Sequence, residues 1–357
     1  MPSTFTELPV IDLAAWRDPG ADRRAFAAEV CRVCHEVGFF LLTGHGVPSV
    51  VMDAHLDALQ RFFALDDAAK RTVDKRRSPQ FRGWEPVGAE LTDGRPDQRE
   101  QLDLATEHPT RPASTRPAYL RLDGPNQWPE ESLVPGFRTA VSAFLTAAAS
   151  LADEILAVLS LGLGLDEGHL GRVFGERPFS LAKLIRYPAT PSGMAGVNAH
   201  HDAGFVTILA QHGVGGLQVQ NPLGEWIDVP VRDDALVVNL GELLQEMTGN
   251  YLVATTHRVI AEGERYSSAY FHGPDLRTEL VPLPLTPQFA AAVAASPRHA
   301  GAGFMATRED LAAGRTGTTG RATGVYGQQL WNYYCRSYPA NVAAHHPDAS
   351  SPVEVSD

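Results

Sequence analysis

From Leu181 to Phe271 the hydrophobic period of this chain is two. Short β-branched runs recur with turn signals between them. They are Leu184-Ile185-Arg186-Tyr187, Phe205-Val206-Thr207-Ile208-Leu209, Leu217-Gln218-Val219, Trp226-Ile227-Asp228-Val229, Ala235-Leu236-Val237-Val238, His257-Arg258-Val259-Ile260 and Ser268-Ala269-Tyr270-Phe271. Residues two apart in a strand share a face, so each run offers one side to a core, and the even spacing predicts an antiparallel sandwich or jelly roll. A helical pattern between Val134 and Leu163, with alanines on its packed side, supplies a backing for such a sheet. The expected class is mainly β with helices (α+β), a double-stranded β-helix (jelly roll) core backed by helices.

The front third alternates short strand and helix signals. Pro9-Val10-Ile11-Asp12-Leu13 and Gly38-Phe39-Phe40-Leu41-Leu42 read as strands, and about Arg23–Val37 and Val50–Phe63 as amphipathic helices. Phe81 to Pro96 is rich in Gly, Pro and polar residues, and a loop of that length in a compact domain is often functional. It holds Arg82, Trp84, Glu90 and Thr92. A last helix is expected from about Val325 to Cys335, after an irregular segment from Ala300 to Gly324. These signals divide the chain into a mixed front portion, 1–125, a core with its C-terminal helix, 126–343, and a disordered polar tail, 344–357.

Composition narrows the function classes. A net charge of −12 over 357 residues argues against a phosphate backbone as partner. The one basic cluster, Lys70-Arg71 with Lys75-Arg76-Arg77, reads as a solvated helix face. Three cysteines are too few for a disulfide framework and suit a reducing compartment; Cys31 and Cys34 fall within a helical pattern and read as core. No basic segment followed by an apolar run opens the chain, and the most apolar stretch, Phe144 to Leu165, is interrupted by Asp153 and Glu154. A cytoplasmic protein with no membrane or nucleic-acid partner is expected, its protein partners left open.

His200-His201-Asp202-Ala203-Gly204 places a histidine and a carboxylate two residues apart, able to face one interior. His257 begins a β-branched run downstream. Two histidines and a carboxylate on one side of a metal leave neighbouring coordination positions open, as non-haem Fe(II) oxygenases require. After a glycine turn at Ala261-Glu262-Gly263-Glu264, Arg265 and Ser267 share a strand face. A guanidinium beside a hydroxyl suits a carboxylate ligand.

In this order, Pro9-Val10-Ile11-Asp12, Gly38-Phe39-Phe40, His45-Gly46-Val47-Pro48, Phe62-Phe63-Ala64-Leu65, Arg82-Gly83-Trp84, Leu184-Ile185-Arg186-Tyr187-Pro188, His200-x-Asp202-x-Gly204, Gly216-Leu217-Gln218-Val219 and His257-Arg258-Val259 resemble the isopenicillin N synthase-like group of Fe(II)- and 2-oxoglutarate-dependent oxygenases. The resemblance implies that His200, Asp202 and His257 hold Fe(II), that Arg265 and Ser267 bind the distal carboxylate of 2-oxoglutarate, that Tyr187 touches this cosubstrate, and that O2 is the second cosubstrate. Gly88-Ala89-Glu90-Leu91-Thr92, Met247-Thr248-Gly249 and Asn332-Tyr333-Tyr334-Cys335-Arg336 are similar to microbial ethylene-forming enzymes. That likeness implies Glu90, Thr92 and Arg336 as substrate contacts, with Lys183 in place of an arginine. Ala203 and Ser267 depart from it and argue against ethylene release. The implied activity is oxidation of an unactivated C–H bond in a small polar metabolite such as an amino acid or natural-product intermediate. Two alternatives stand: an oxidase using Fe(II) and O2 without 2-oxoglutarate, its Arg265 and Ser267 holding a substrate carboxylate, and a non-catalytic binding jelly roll.

Overall fold

A computed structural model describes residues 5–92, 94–189, 194–260, 263–296 and 324–349. In chain order the strands used below are β1 Val10–Asp12, β2 Phe39–Thr43, β3 Gly83–Glu85, β4 Leu91–Thr92, β5 Arg95–Pro96, β6 Glu100–Ala105, β7 Leu181–Tyr187, β8 Ala195–His200, β9 Val206–Gly213, β10 Leu217–Gln220, β11 Trp226–Asp228, β12 Leu236–Leu240, β13 His257–Ile260 and β14 Arg265–His272. Eight of them form one sheet in the order β1-β2-β12-β9-β14-β7-β6-β3, and four form a second, β11-β10-β13-β8. Strands from the front of the chain thus flank strands from the core on both edges of the large sheet.

The period-two pattern explains the two faces of that sheet. One side of β2, β9, β12 and β14 presents Phe40, Leu42, Val206, Ile208, Ala210, Val238, Leu240 and Tyr270, which join the largest buried cluster. Against them lie the Arg23–Glu36, Ser49–Phe63 and Phe137–Gly162 helices. The last helix buries Phe144, Ala148, Leu151, Ala152, Ile155 and Leu159, spaced to fall on one stripe. It runs unbroken through Asp153 and Glu154, in keeping with the helical pattern expected between Val134 and Leu163. By length and composition alone it could cross a membrane, yet half of its most apolar window is buried inside the protein. Glu154 pairs with Arg17, and Asp153 lies 3.1 Å from His272 Nε2. The opposite sheet side carries Phe39, Leu41, Ile185, Tyr187 and Val237 toward Val197, Leu217, Val219 and Val259 of the small sheet. The candidate site lies between the two sheets.

Three expectations are corrected. Lys70 and Lys75 are not solvated: Lys70 is buried against Glu100, and Lys75 against Glu85 and Asp103. The polar stretch Phe81–Pro96 is not a plain loop but contains β3 and both strands, β4 and β5, of a hairpin. The chain from Ala344 does not begin a disordered tail: Pro339–His345 is helical, and the buried His346 pairs through Nε2 with the Pro79 carbonyl at 2.7 Å. Residues 350–357, and most of the irregular segment expected from Ala300 to Gly324, lie outside the described residues. Cys31 and Cys34 are buried in the core as expected, and all three cysteines are free.

Candidate active site

His200 closes β8 and His257 opens β13, and the two are partners in the antiparallel register. Their rings stand 4.2 Å apart. The strand ends at His200, so a turn rather than strand alternation brings Asp202 round to them. Backbone bonds fix that turn: Glu242 N–H donates to the Asp202 carbonyl at 2.8 Å and Leu243 N–H to that of Gly204 at 3.1 Å. Only glycine permits the approach at 241, where a Cβ would lie 2.4 Å from the Gly204 oxygen. Asp202 Oδ1 consequently lies 3.9 Å from His200 Nε2 and 3.7 Å from His257 Nε2.

Every other polar atom of these three side chains is already engaged. His200 Nδ1 meets the Asn198 carbonyl at 2.8 Å, and His257 Nδ1 that of Thr255 at 3.1 Å. A carbonyl only accepts, so each Nδ1 carries the proton and each Nε2 keeps its lone pair. Asp202 Oδ2 accepts from Thr207 Oγ1 at 2.6 Å and Asn239 Nδ2 at 2.7 Å, leaving Oδ1. Burial, reinforced by His257, takes the His200 imidazole down to about 3, and burial also lowers His257 against the pull of Asp202. Burial acts to raise Asp202; His257, His200 and the two hydrogen bonds outweigh it and hold the carboxyl below its ordinary range. The result is two neutral imidazoles and a carboxylate whose free ligand atoms all lie within 4.8 Å of one another, a set that could hold a metal ion.

Arg265 lies on the same interior, in register with Tyr187 of β7. It is buried, with its guanidinium carbon 4.9 Å from the Tyr187 ring centroid. Nη1 donates to Ser267 Oγ at 3.2 Å and Nη2 to Gln211 Oε1 at 3.0 Å, while Nε is buried without a partner. No carboxylate pairs with it among the described residues. Burial lowers its pKa, opposed by Tyr187. Such an isolated buried cation is costly unless an anion completes it. Gly196 makes room for Tyr187, since a Cβ there would sit 2.7 Å from the ring.

The four expected substrate contacts divide. Glu90 and Lys183 meet, Nζ lying 3.0 and 2.9 Å from the two carboxylate oxygens. Thr92 is one step removed and donates to Asp97 Oδ2 at 2.8 Å. Arg336 lies exposed on the Tyr326–Ser337 helix and forms no ion pair with this group among the described residues. Glu90 also pairs with Arg99, at 3.2 Å. Arg82 donates to the carbonyls of Gly124, Thr106 and Leu122.

Arg99, Gln101 and Asp103 were missed by the sequence reading, as were the Asp202 partners Thr207 and Asn239. The signal existed for the first three. In Arg99-Glu100-Gln101-Leu102-Asp103-Leu104 every odd position is polar, with Glu100 the one charge at an even position, and such a row normally points to water. Here the odd positions face inward.

This geometry accompanies close likeness to known proteins. Residues 8–131 match the family described as non-haem dioxygenase in morphine synthesis, N-terminal, and residues 179–274 match the 2OG-Fe(II) oxygenase superfamily. A 2-oxoglutarate-dependent dioxygenase, frbJ of Dothideomycetidae sp. (strain 11243), is 33% identical over 280 residues, covering 76% of this chain and 75% of that protein. This chain belongs to the 2OG-Fe(II) oxygenase superfamily. As a member it is an enzyme that uses Fe(II), 2-oxoglutarate and O2. Homoarginine-6-hydroxylase 2-ODD-C23 of Glycine max is another relative of this oxygenase, 31% identical with 79% and 90% of the two chains covered. Among solved structures, that of JOX2 in complex with 2OG, Fe and JA is similar at a TM-score of 0.65 and 28% identity, covering 78% of each chain.

Proposed function

We propose that His200, Asp202 and His257 hold the iron, that Arg265 and Ser267 receive the distal carboxylate of 2-oxoglutarate beside Tyr187, and that the enzyme oxidises a C–H bond of a small polar metabolite. The observation that carries this is Arg265: a buried guanidinium with an unpartnered Nε and an adjacent hydroxyl, on the interior that also holds the three free ligand atoms. Bound Fe(II), with 2-oxoglutarate and O2, supplies the oxidising equivalents, and 2-oxoglutarate leaves as succinate and CO2.

The chain's own residues do the positioning. Asn198 and Thr255 fix the imidazole tautomers, Thr207 and Asn239 aim Asp202, and Arg265 with Ser267 sets the depth of the cosubstrate. Whether the product is hydroxylated, desaturated or cyclised then depends on where the substrate carbon is held. An amino acid fits the charged side of the interior at Glu90 and Lys183, and the soybean relative is named for hydroxylating one. We also place the enzyme in the cytoplasm, where its free Cys31, Cys34 and Cys335 stay reduced.

Succinate formed per O2 consumed, across a metabolite panel, is the test. One succinate per O2, with a product heavier by one oxygen or lighter by two hydrogens, is expected. O2 consumption with no succinate would instead identify an oxidase that needs no 2-oxoglutarate.

A further inference from the structure

Seven charged side chains beside the iron-site residues form a single alternating series. Glu85 pairs with Lys75, Lys75 with Asp103, Asp103 with Lys183, Lys183 with Glu90, Glu90 with Arg99, and Arg99 with Asp97. The series begins and ends on a carboxylate. Four acids against three bases leave one negative charge uncompensated in the interior, where an unpaired charge is expensive.

Its hydrogen bonding is lopsided in the same direction. Among the described residues, Asp103 Oδ1, Gln101 Oε1 and Asp97 Oδ1 are buried acceptors without partners, against one unpartnered donor in these segments, Arg99 Nε. All four residues are at least nine-tenths buried. Gln101 and Asp103 stand in register with Ile185 and Lys183, on the interior side of the large sheet. The series reaches the iron site at its Arg99 end, which acts electrostatically on both His200 and Tyr187. β4, carrying Thr92, packs against β8, which ends in His200. Burial raises the Asp97 and Glu85 carboxyls despite Arg99 and Lys75, with Glu90 adding to the rise at both and Asp103 at Glu85, as expected where carboxylates outnumber cations.

We infer that this network is a receptor for the cationic head of the substrate, an ammonium or guanidinium group, with Asp97, Gln101 and Asp103 as its acceptors. A compact cation with several N–H donors balances the charge and meets the orphaned oxygens together. An anionic substrate meets the opposite field, since Glu90 and Asp97 already neutralise Arg99. The inference rests on the reading of His200, Asp202 and His257 as the iron ligands, which fixes the end of the substrate that reacts.

Anaerobic calorimetry on the full chain loaded with Fe(II) and 2-oxoglutarate tests it, with L-arginine, L-lysine and L-citrulline as probes. Citrulline carries a neutral urea of nearly the shape of the guanidinium. Arginine or lysine is expected to bind at least ~10-fold more tightly than citrulline, as a charge-assisted contact requires. Asp97→Asn removes the excess charge, and Gln101→Leu removes an acceptor without changing charge; either is expected to cut the preference to under ~3-fold. If Asp97→Asn does not fold, Gln101→Leu carries the comparison. Equal affinity for citrulline, no heat from either cation, or a preference that survives the substitutions overturns the receptor. Succinate release without added substrate is followed separately, in aerated portions of the same Fe(II)- and 2-oxoglutarate-loaded protein, because the reaction consumes O2. Its absence counts against the iron-site reading, whereas its presence without cation preference counts against the receptor alone.

Discussion

Arg265 and Arg99 flank Tyr187 on one interior surface, yet they are used in opposite ways. Arg265 is in register with Tyr187 from β14, and the pairing of Arg186 with Glu100 places Arg99 beside it on the other side. Arg99 has two carboxylates, Glu90 at 3.2 Å and Asp97 at 3.0 Å; Arg265 has a hydroxyl and an amide. Burial opposes the charge of both, but the carboxylates beside Arg99 win and raise its pKa, whereas burial prevails at Arg265 and lowers it. A buried arginine whose charge is already balanced is part of the scaffold, and one left unbalanced is a place for a ligand. The same test, applied to the acids around Arg99, finds the imbalance of opposite sign.

The largest expected effect lies on the Arg99 side and is one of stability. Arg99→Met strands Asp97, whose remaining side-chain partner is Thr92, and should cost about 3 kcal/mol, read as a lower denaturant midpoint. A midpoint close to wild type would show that the network is not what holds the β4–β5 hairpin. A smaller effect belongs to the cosubstrate side. Ser267→Ala removes one contact from the Arg265 receptor and should raise KM for 2-oxoglutarate about fivefold, roughly 1 kcal/mol, with little change in stability. Unchanged KM would separate Ser267 from the cosubstrate.

The remaining effect concerns acid. Glu90 is held well below the ordinary carboxylate range: burial opposes this, but Lys183, Arg99 and Lys75 outweigh it. Its stabilisation is present above the unfolded carboxylate pKa near 4.5 and is lost only as pH falls below that value. On the far side of the sheet, burial lowers His55 to about 3, with His212 adding to the effect. The unfolded chain takes up that proton first, so stability falls as pH drops from 6.5 toward 3, at up to ~1.4 kcal/mol per pH unit for this group. Between pH 7 and 5, His55→Leu should therefore flatten the decline in unfolding free energy; an unchanged slope would assign that loss to other groups.

The sequence disclosed the fold and the cluster of His200, Asp202 and His257 that could hold a metal ion, because both depend on local patterns. Alternating runs from Leu184 to Phe271 become β7, β9, β10, β11, β12, β13 and β14, and Gly204, two residues after Asp202, marks a turn. The proximity of Arg265 and Ser267 was also legible, as two polar side chains on one strand face. What was hidden depends on pairing between distant segments. Arg99 and Asp103 read as solvated charges until Glu90, Lys183 and Lys75 meet them, and Lys75 itself looks like a surface charge until Asp103 and Glu85 surround it. Arg336 failed for the converse reason: a motif likeness located it beside Tyr333 and Tyr334, but the helix turns Tyr334 inward and Arg336 out.

The division between the two arginines is tested most directly by titrating 2-oxoglutarate into the Fe(II)-loaded protein without oxygen, for wild type, Arg265→Met and Arg99→Met. Arg265→Met should weaken binding about 100-fold, the loss of a charge-assisted carboxylate contact, while Arg99→Met stays within about twofold of wild type. Equal losses, or a larger loss at Arg99, would contradict the assignment.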